Sequence, residues 1–256
     1  MNRMRIQYYQ LQTVLGVRSF HTSSSLSSTC SPFSSEDVFS NKSRDKCISR
    51  IQMMQTVKPL NEKVRHRAAV LVPLVSISGE VHLLFTRRSL GMSFRSGEVC
   101  FPGGKQDPQD LDLTQTALRE TVEELGISSS NVDVWCQMPG IYQGVFSSKQ
   151  KGDFCVAPVV GVVRNYEDLQ LKPSRGEVSS VFTVPVRNLV NPEYNGYTQF
   201  RFMDGFDSSG YSLPVFHLQV PFVIWGITAL ITFQFLQALL PGSVYSHDIK
   251  YQKPVI

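Results

Sequence analysis

Residues Gly97–Gly126 read GEVCFPGGKQDPQDLDLTQTALRETVEELG, and the parsing of this stretch decides the fold. Val99–Phe101 predicts a short strand, Pro102-Gly103-Gly104 a turn, and an acidic loop then leads into one helix. Asp112 is a good N-cap with Gln115 three residues on, as in a capping box, and Gly126 is a natural helix stop. At about 100° per residue, Leu118, Val122 and Leu125 fall on one face and Glu120 and Glu124 on the opposite one. Glu123 lies beside that acidic face, one turn above Glu120.

Carboxylates so close on one side of a helix repel one another, by a few tenths of a kcal/mol on an exposed helix. A hard divalent cation removes the repulsion, and Mg²⁺ and Mn²⁺ prefer carboxylate, carbonyl and water oxygens beside substrate phosphates. Gly103 and Gly104 let backbone groups approach closely because no Cβ intervenes. Arg119 is spaced to pair with Glu123 at i,i+4. The alternative is a solvated acidic face; the Phe-Pro-Gly-Gly turn upstream favours the metal. On this reading Glu120 and Glu124 hold Mg²⁺ or Mn²⁺, with Glu123 direct or through water.

The segment resembles the signature of the Nudix hydrolases, G-x5-E-x7-R-E-U-x-E-E-x-G-U with U bulky and apolar. Its second half fits without a gap from Arg119 to Ile127, Thr121 being a mild exception at an apolar position. The first half is one residue too long between Gly104 and Arg119. The family's first Glu falls on Leu111, or on Asp110 if the extra residue follows it; Asp107, Asp110 and Asp112 are candidates to substitute. Leu83–Asp107, LLFTRRSLGMSFRSGEVCFPGGKQD, is similar to the motif that precedes and overlaps the box in coenzyme A diphosphatases. Thr86, Arg88, Ser89, Gly97, Glu98, Val99, Phe101 to Gly104 and Asp107 match it, whereas Met92 and Ser93 stand where Leu and Arg are usual. GYTQF, YSLPVF, WGITALIT and LLPG further on resemble the C-terminal half of the mitochondrial vertebrate members of that branch, so the resemblance covers Arg67 to Gly242.

That resemblance implies an α/β fold, a Nudix-type α/β/α sandwich with a mixed sheet. It also implies metal-dependent hydrolysis of the diphosphate of coenzyme A and acyl-coenzyme A, giving 3′,5′-ADP and the (acyl-)4′-phosphopantetheine. The Gly103 carbonyl becomes a further metal candidate. Glu120, Glu123 and Glu177 are alternatives for the base, Glu177 because the family often places an acid in the corresponding loop. Arg88, Arg87, Arg95 and Lys105 flank the turn and can hold phosphates beside Gly104, with Arg88 first because it belongs to the branch motif. Met92, Phe94 and Tyr142 can line a path for the pantetheine arm or simply pack in the core. Rival functions are a diphosphatase for ADP-ribose or dinucleotides, and a non-catalytic acyl-coenzyme A or nucleotide sensor.

With 256 residues, 42% apolar and 18% charged, the chain suits one ordinary domain plus extensions. Its net charge of +4 is too small to argue for nucleic acid. Five widely spaced cysteines without a CxxC pair argue against structural zinc and for free thiols. Residues 1–35 carry Arg3, Arg5 and Arg18 and no acid, with Ser and Thr abundant, the signature of a transit peptide and hence of the mitochondrial matrix. Residues 36–66 read as a polar linker with a short helix at Asp45–Met54, 67–242 as the hydrolase domain, and 243–256 as a frayed C-terminal tail.

Within the domain, Ala68–Val75 is a buried strand, turned at Gly79-Glu80 into His82–Thr86. Asn131–Ile141, Phe154–Val163 and Val181–Val186 are strand-like, and Pro158 predicts an edge or a bulge. Tyr197–Met203 and Tyr211–Phe216 predict a hairpin. Phe222–Leu240 is uncharged, but its glutamines and bounding prolines favour a buried helix over a membrane span. The expected partner is a small-molecule substrate, and the protein is a monomer or homodimer.

Overall fold

A computed structural model describes residues 32–54, 66–92, 95–142, 154–201, 210–218 and 223–249. The chain begins with α1 (Ser35–Val38) and α2 (Asn41–Met53), then enters β1 (His66–Ile77). Side chains alternate across β1: Ala68, Val72 and Leu74 join one apolar cluster, Ala69, Leu71 and Val75 another, and all are buried. A strand buried on both faces must be central. Ser78 and Gly79, both at positive φ (49° and 77°), make the tight turn into β2 (Glu80–Arg88), with Ile77 opposite Glu80.

Next come β3 (Val99–Cys100), β4 (Gly103–Lys105) and α3 (Leu113–Leu125). β5 (Val132–Gln137), β6 (Ile141–Tyr142), β7 (Phe154–Val163), β8 (Val178–Pro185) and α4 (Val186–Leu189) follow. The chain closes with β9 (Asn195–Arg201), β10 (Gly210–His217), β11 (Val223–Ile224) and α5 (Gly226–Leu239).

β7 runs parallel to β1, and every other pairing is antiparallel, so the sheet is mixed. β2 pairs with β1 at its start and with β3 at its end, while β8 takes its other edge. β4 pairs with the start of β1. The sheet therefore opens between β1 and β2, and β3–β4 fills the mouth. α3 covers the face carrying Ala69, Leu71 and Val75. α2 and α5 cover the other, making an α/β/α sandwich. β9, β10 and β11 form a second sheet, and β9–β10 is the hairpin expected from its alternation.

Three expectations change. Residues 36–54 of the expected linker are built into the core: Cys47 and Ile51 are fully buried, which for Ile51 alone is worth about 1.5–3 kcal/mol. Phe33 accepts a hydrogen bond from Val81 N and Ser35 N donates to Gly79 O, so the chain is tied to the sheet from Phe33 onward. Arg50 Nη1 donates to the Ala238 carbonyl at the end of α5, 3.0 Å. The short helix expected at Asp45–Met54 is there but starts earlier, at Asn41. Its place in the core was not legible because Cys47 and Ile51, one turn apart, are its only fully buried residues, with Ile48 and Met54 packed beside them.

Of the two settings expected for Pro158, the edge is excluded, since β7 lies between β1 and the β5/β6 pair. The bulge is found: the register slips by one residue opposite it, from Gln137↔Val159 to Ile141↔Val156. Its carbonyl accepts from Met138 N in the break between β5 and β6. The N and C=O of one strand residue face the same neighbour, so the missing N–H falls at that break and the ladder to β1 loses nothing. The expected frayed tail is docked at its start, with Tyr245 buried against Phe233 and His247 Nε2 2.7 Å from the Gly196 carbonyl. α5 is a buried helix, and no helix among the described residues is long and apolar enough to cross a membrane.

Candidate metal and diphosphate site

The Gly103-Gly104 pair is a strand, not only a turn. Pro102 O and Gln106 N bond to β1, so by alternation Gly103 and Lys105 turn their peptide groups toward α3. The Lys105 carbonyl accepts from Arg119 Nη2 at 3.0 Å, and the Gly103 N–H donates to the Glu124 carboxylate. A Cβ on Gly103 would strike the Ala69 carbonyl and Val70, and one on Gly104 would strike the Glu120 carboxylate. Glycine is required at Gly103 for the strand to lie against β1, and at Gly104 it lets the Glu120 carboxylate sit directly on the strand.

α3 is capped as expected. Asp112 Oδ1 accepts from Gln115 N at 2.7 Å, Gln115 Oε1 accepts from Leu111 N at 2.7 Å, and Gly126 closes the helix at φ 72°. Its buried face is not the expected one. Thr116, Ala117, Thr121, Glu124 and Leu125 are buried, whereas Val122 is 41% exposed. The facing surface is a glycine strand with no side chains, so small residues make the contact and the acidic side turns inward. Thr121, the misfit at an apolar position, satisfies its hydroxyl by donating to the Ala117 carbonyl at 2.7 Å.

Glu124 is 4% exposed, and its Oε2 has no hydrogen-bond partner among the described residues. Burial, then the neighbouring charges of Glu120 and Glu177, push its carboxyl up to about 8, against the pull of the Gly103 N–H and Arg88. Glu120 is half-buried over Gly104 and is also raised, chiefly by burial, with Arg119 opposing. Glu177 acts on both. Its loop is pinned there, since Ser174 N donates to Glu124 O at 2.9 Å and Ser89 N to Glu177 O at 2.7 Å. Glu123 stays on the rim, its side chain 55% exposed and held by Arg119 Nη1 at 3.1 Å.

Asp110 is the residue whose part the motif did not assign. Arg119 Nε donates to its Oδ1 at 3.0 Å and Nη2 to its Oδ2 at 3.1 Å. Thr116 Oγ1 and Asp107 N donate to Oδ2, each at 2.9 Å. The Arg119 hydrogen bonds, more than burial opposes them, bring the Asp110 carboxyl down to about 2. Asp112 is spent on the cap and Asp107 Oδ1 accepts from Gln109 N, so of the three candidates Asp110 is the one that orients Arg119. Contacts spread over Asp107, Asp110, Thr116 and Arg119 follow no helical period, which is why no pattern pointed to them.

Arg87 and Arg88 project to opposite faces of β2. Arg88 acts on Glu124, its guanidinium donates to Cys100 Sγ, and its Nε is buried without a hydrogen-bond partner among the described residues. Thr86 Oγ1, on the same face, donates to the Cys100 carbonyl at 3.3 Å. Arg87 Nε donates to the Gly97 carbonyl at 3.2 Å, away from the carboxylates. The Lys105 side chain is exposed. Tyr142 lies on β6 against Cys155, and Met92 is half-buried in the loop after β2; Phe94 lies outside the described residues.

Oxygen donors of Glu120, Glu124 and Glu177 suit a hard cation, and the orphaned Glu124 Oε2 is the kind of buried group such an ion satisfies. Among the described residues no three acidic, histidine or cysteine side chains form a ready ligand set. Like charges hold the carboxylates apart, and Arg119 draws Glu120 (3.1 Å) and Glu123 outward.

Residues 65–206 match the NUDIX domain. Human mitochondrial coenzyme A diphosphatase NUDT8 is 42% identical over 177 residues, 69% of this chain and 70% of the human protein. Nudix hydrolase 3 of Caenorhabditis elegans is 34% identical over 192 residues, 71% of this chain and 76% of its own. Mouse peroxisomal coenzyme A diphosphatase NUDT7 is 41% identical over 128 residues, 50% of each chain.

Proposed function

The chain belongs to the Nudix hydrolases, and from that footing we propose that it cleaves the diphosphate of coenzyme A and acyl-coenzyme A in the mitochondrial matrix. The observation that carries this reading is the buried Glu124, with one oxygen unpartnered, set against a strand made of two glycines. Glu120 and Glu124 would hold Mg²⁺ or Mn²⁺, with the Gly103 carbonyl on the same side as the N–H that Glu124 accepts. When bound, the ion screens the diphosphate charge, polarises a phosphorus–oxygen bond and lowers the pKa of a bound water.

The chain's own groups do the rest. Arg88, whose charge acts on Glu124, offers its guanidinium to a phosphate oxygen. Asp110 fixes Arg119, which in turn orients Glu120 and Glu123. Glu177, facing Glu120 and Glu124 from a separately anchored loop, takes the proton of the attacking water. The water oxygen joins one phosphorus, the bridging bond breaks, and the departing oxygen leaves as the second phosphate, yielding 3′,5′-ADP and (acyl-)4′-phosphopantetheine. The matrix assignment rests on the acid-free, arginine-bearing N-terminal segment and on the name of the mitochondrial relative.

The test is product analysis by mass with Mg²⁺ and with Mn²⁺, offering coenzyme A, ADP-ribose and a dinucleotide side by side. The protein must begin no later than Phe33, because α2 is part of the core. Release of 3′,5′-ADP from coenzyme A in preference supports the reading. Preference for ADP-ribose overturns the substrate, and tight binding without turnover overturns the enzyme.

A further inference from the structure

Glu98 precedes β3 and takes no part in the chemistry above. Its carbonyl accepts from Arg88 N at 2.9 Å, which continues the pairing of Thr86 with Cys100 and Arg87 with Val99 by one more step. Glu98 and Arg88 are therefore directly opposed across two antiparallel strands. Their side chains share the face that carries Thr86, Cys100 and, from α3 above, Glu124. Cβ atoms so placed lie about 4.5–5.5 Å apart, and opposite charges there attract.

The Arg88 charge acts on both Glu98 and Glu124, and its guanidinium also donates to Cys100 Sγ. The guanidinium thus feels an acid on its neighbouring strand and an acid on the helix, and among the described residues it closes an ion pair on neither. Had it closed on Glu124 in a forked pair, Glu124 Oε2 would be satisfied; among the described residues that oxygen has no hydrogen-bond partner. Arg95, whose carbonyl accepts from Glu98 N at 3.3 Å, also acts on Glu98. Burial of Glu98 works against ionisation and the two arginines favour it.

We propose that Glu98 is a positioning residue: opposed to Arg88 across β2 and β3, it holds the guanidinium back from Glu124. That leaves the unpartnered Glu124 oxygen for the cation and the Arg88 guanidinium for a substrate phosphate. The proposal rests on the reading of Glu124 and Arg88 given under the proposed function. Without Glu98, Arg88 closes on Glu124, and metal and phosphate each lose a partner.

Mn²⁺ binding, followed by titration calorimetry without substrate, tests this alongside steady-state kinetics with coenzyme A. Glu98→Gln is expected to weaken Mn²⁺ binding and raise KM by about tenfold each, the scale found for partners that orient ligands. Its kcat at saturating metal and substrate should change by less than about threefold. Glu98→Asp, which keeps the charge, should recover most of the loss and covers the case in which Glu98→Gln fails to fold. In the background of Arg88→Gln, removing Glu98 should cost nothing further, because the two act as one unit. Unchanged Mn²⁺ affinity in Glu98→Gln, or additive losses in the double variant, overturns the proposal. So does Arg95→Gln reproducing the full effect, since Glu98 would then act through the turn. Wild-type protein that neither binds Mn²⁺ nor cleaves a diphosphate overturns the underlying reading as well; active wild type with an indifferent Glu98→Gln overturns this inference alone.

Discussion

Asp110 and Glu124 flank the two ends of α3, are almost equally hidden at 8% and 4% exposure, and titrate in opposite directions. Asp110 is drawn down to about 2 and Glu124 pushed up to about 8. Burial opposes the charge on both. It weighs most at Glu124, where it is the main cause of the shift, and the donors differ too: Asp110 receives a two-pronged guanidinium, a hydroxyl and a backbone N–H. Glu124 receives one backbone N–H and faces two further carboxylates. A buried acid with every lone pair answered is a structural part, and a buried acid left short of donors is a place prepared for something else.

The contrast breaks most visibly by substitution at its unsatisfied end. Glu124→Gln should lower kcat for diphosphate hydrolysis by at least about a thousandfold, as expected when a group that holds a catalytic ion is lost. Above about pH 8, its thermal midpoint without metal should equal or exceed that of wild type, because a buried charge is gone. An equal loss of stability would place Glu124 in the same class as Asp110.

At the satisfied end, Asp110→Asn should cost about 2–4 kcal/mol in urea unfolding, because Arg119 loses the partner that fixes it. Activity should also fall, since Glu120 and Glu123 are held by the same guanidinium. Gly104→Ala, which drives a methyl into the Glu120 carboxylate, should cost about 1–3 kcal/mol. Its Mn²⁺ affinity should fall with it in calorimetry.

Acidity separates the two residues without mutation. The folded chain holds the Glu124 proton more tightly than the unfolded chain does, from its ordinary value of 4.5 up to about 8. Across that window metal-free stability should therefore decline as pH rises, by at most about 1.4 kcal/mol per pH unit from this one group. Asp110 works the other way: its stabilisation is complete above its ordinary 3.8 and is lost as pH falls toward about 2. Urea midpoints measured from pH 2 to 9, with and without Glu124→Gln, resolve both arms. The smallest effect belongs to Glu123, which is mostly exposed; Glu123→Gln should change stability by about 0.5 kcal/mol or less.

What could be read beforehand was local. The caps of α3 at Asp112 and Gly126, the β1–β2 turn and the β9–β10 alternation depend on near neighbours in the chain, and all are where the residues imply. The carboxylate cluster was legible as a set of residues, but not its direction, because the inward face of α3 is chosen by a glycine strand that presents nothing to pack against. Asp110 was one of three equivalent-looking aspartates until Arg119 selected it. Cys47 and Ile51 gave too little apolar pattern to reveal α2 as core, and Pro158 is tolerated in a central strand only because its neighbour is broken beside it.

The most direct test of the central claim is Mg²⁺ or Mn²⁺ affinity measured calorimetrically from pH 6 to 9 in wild type and Glu124→Gln. If the orphaned carboxylate is there to take a cation, wild-type affinity should climb by up to about tenfold per pH unit until about pH 8, with proton release on binding. The variant should bind weakly, without that climb. Equal affinities in the two proteins, with no proton released by either, would contradict the account.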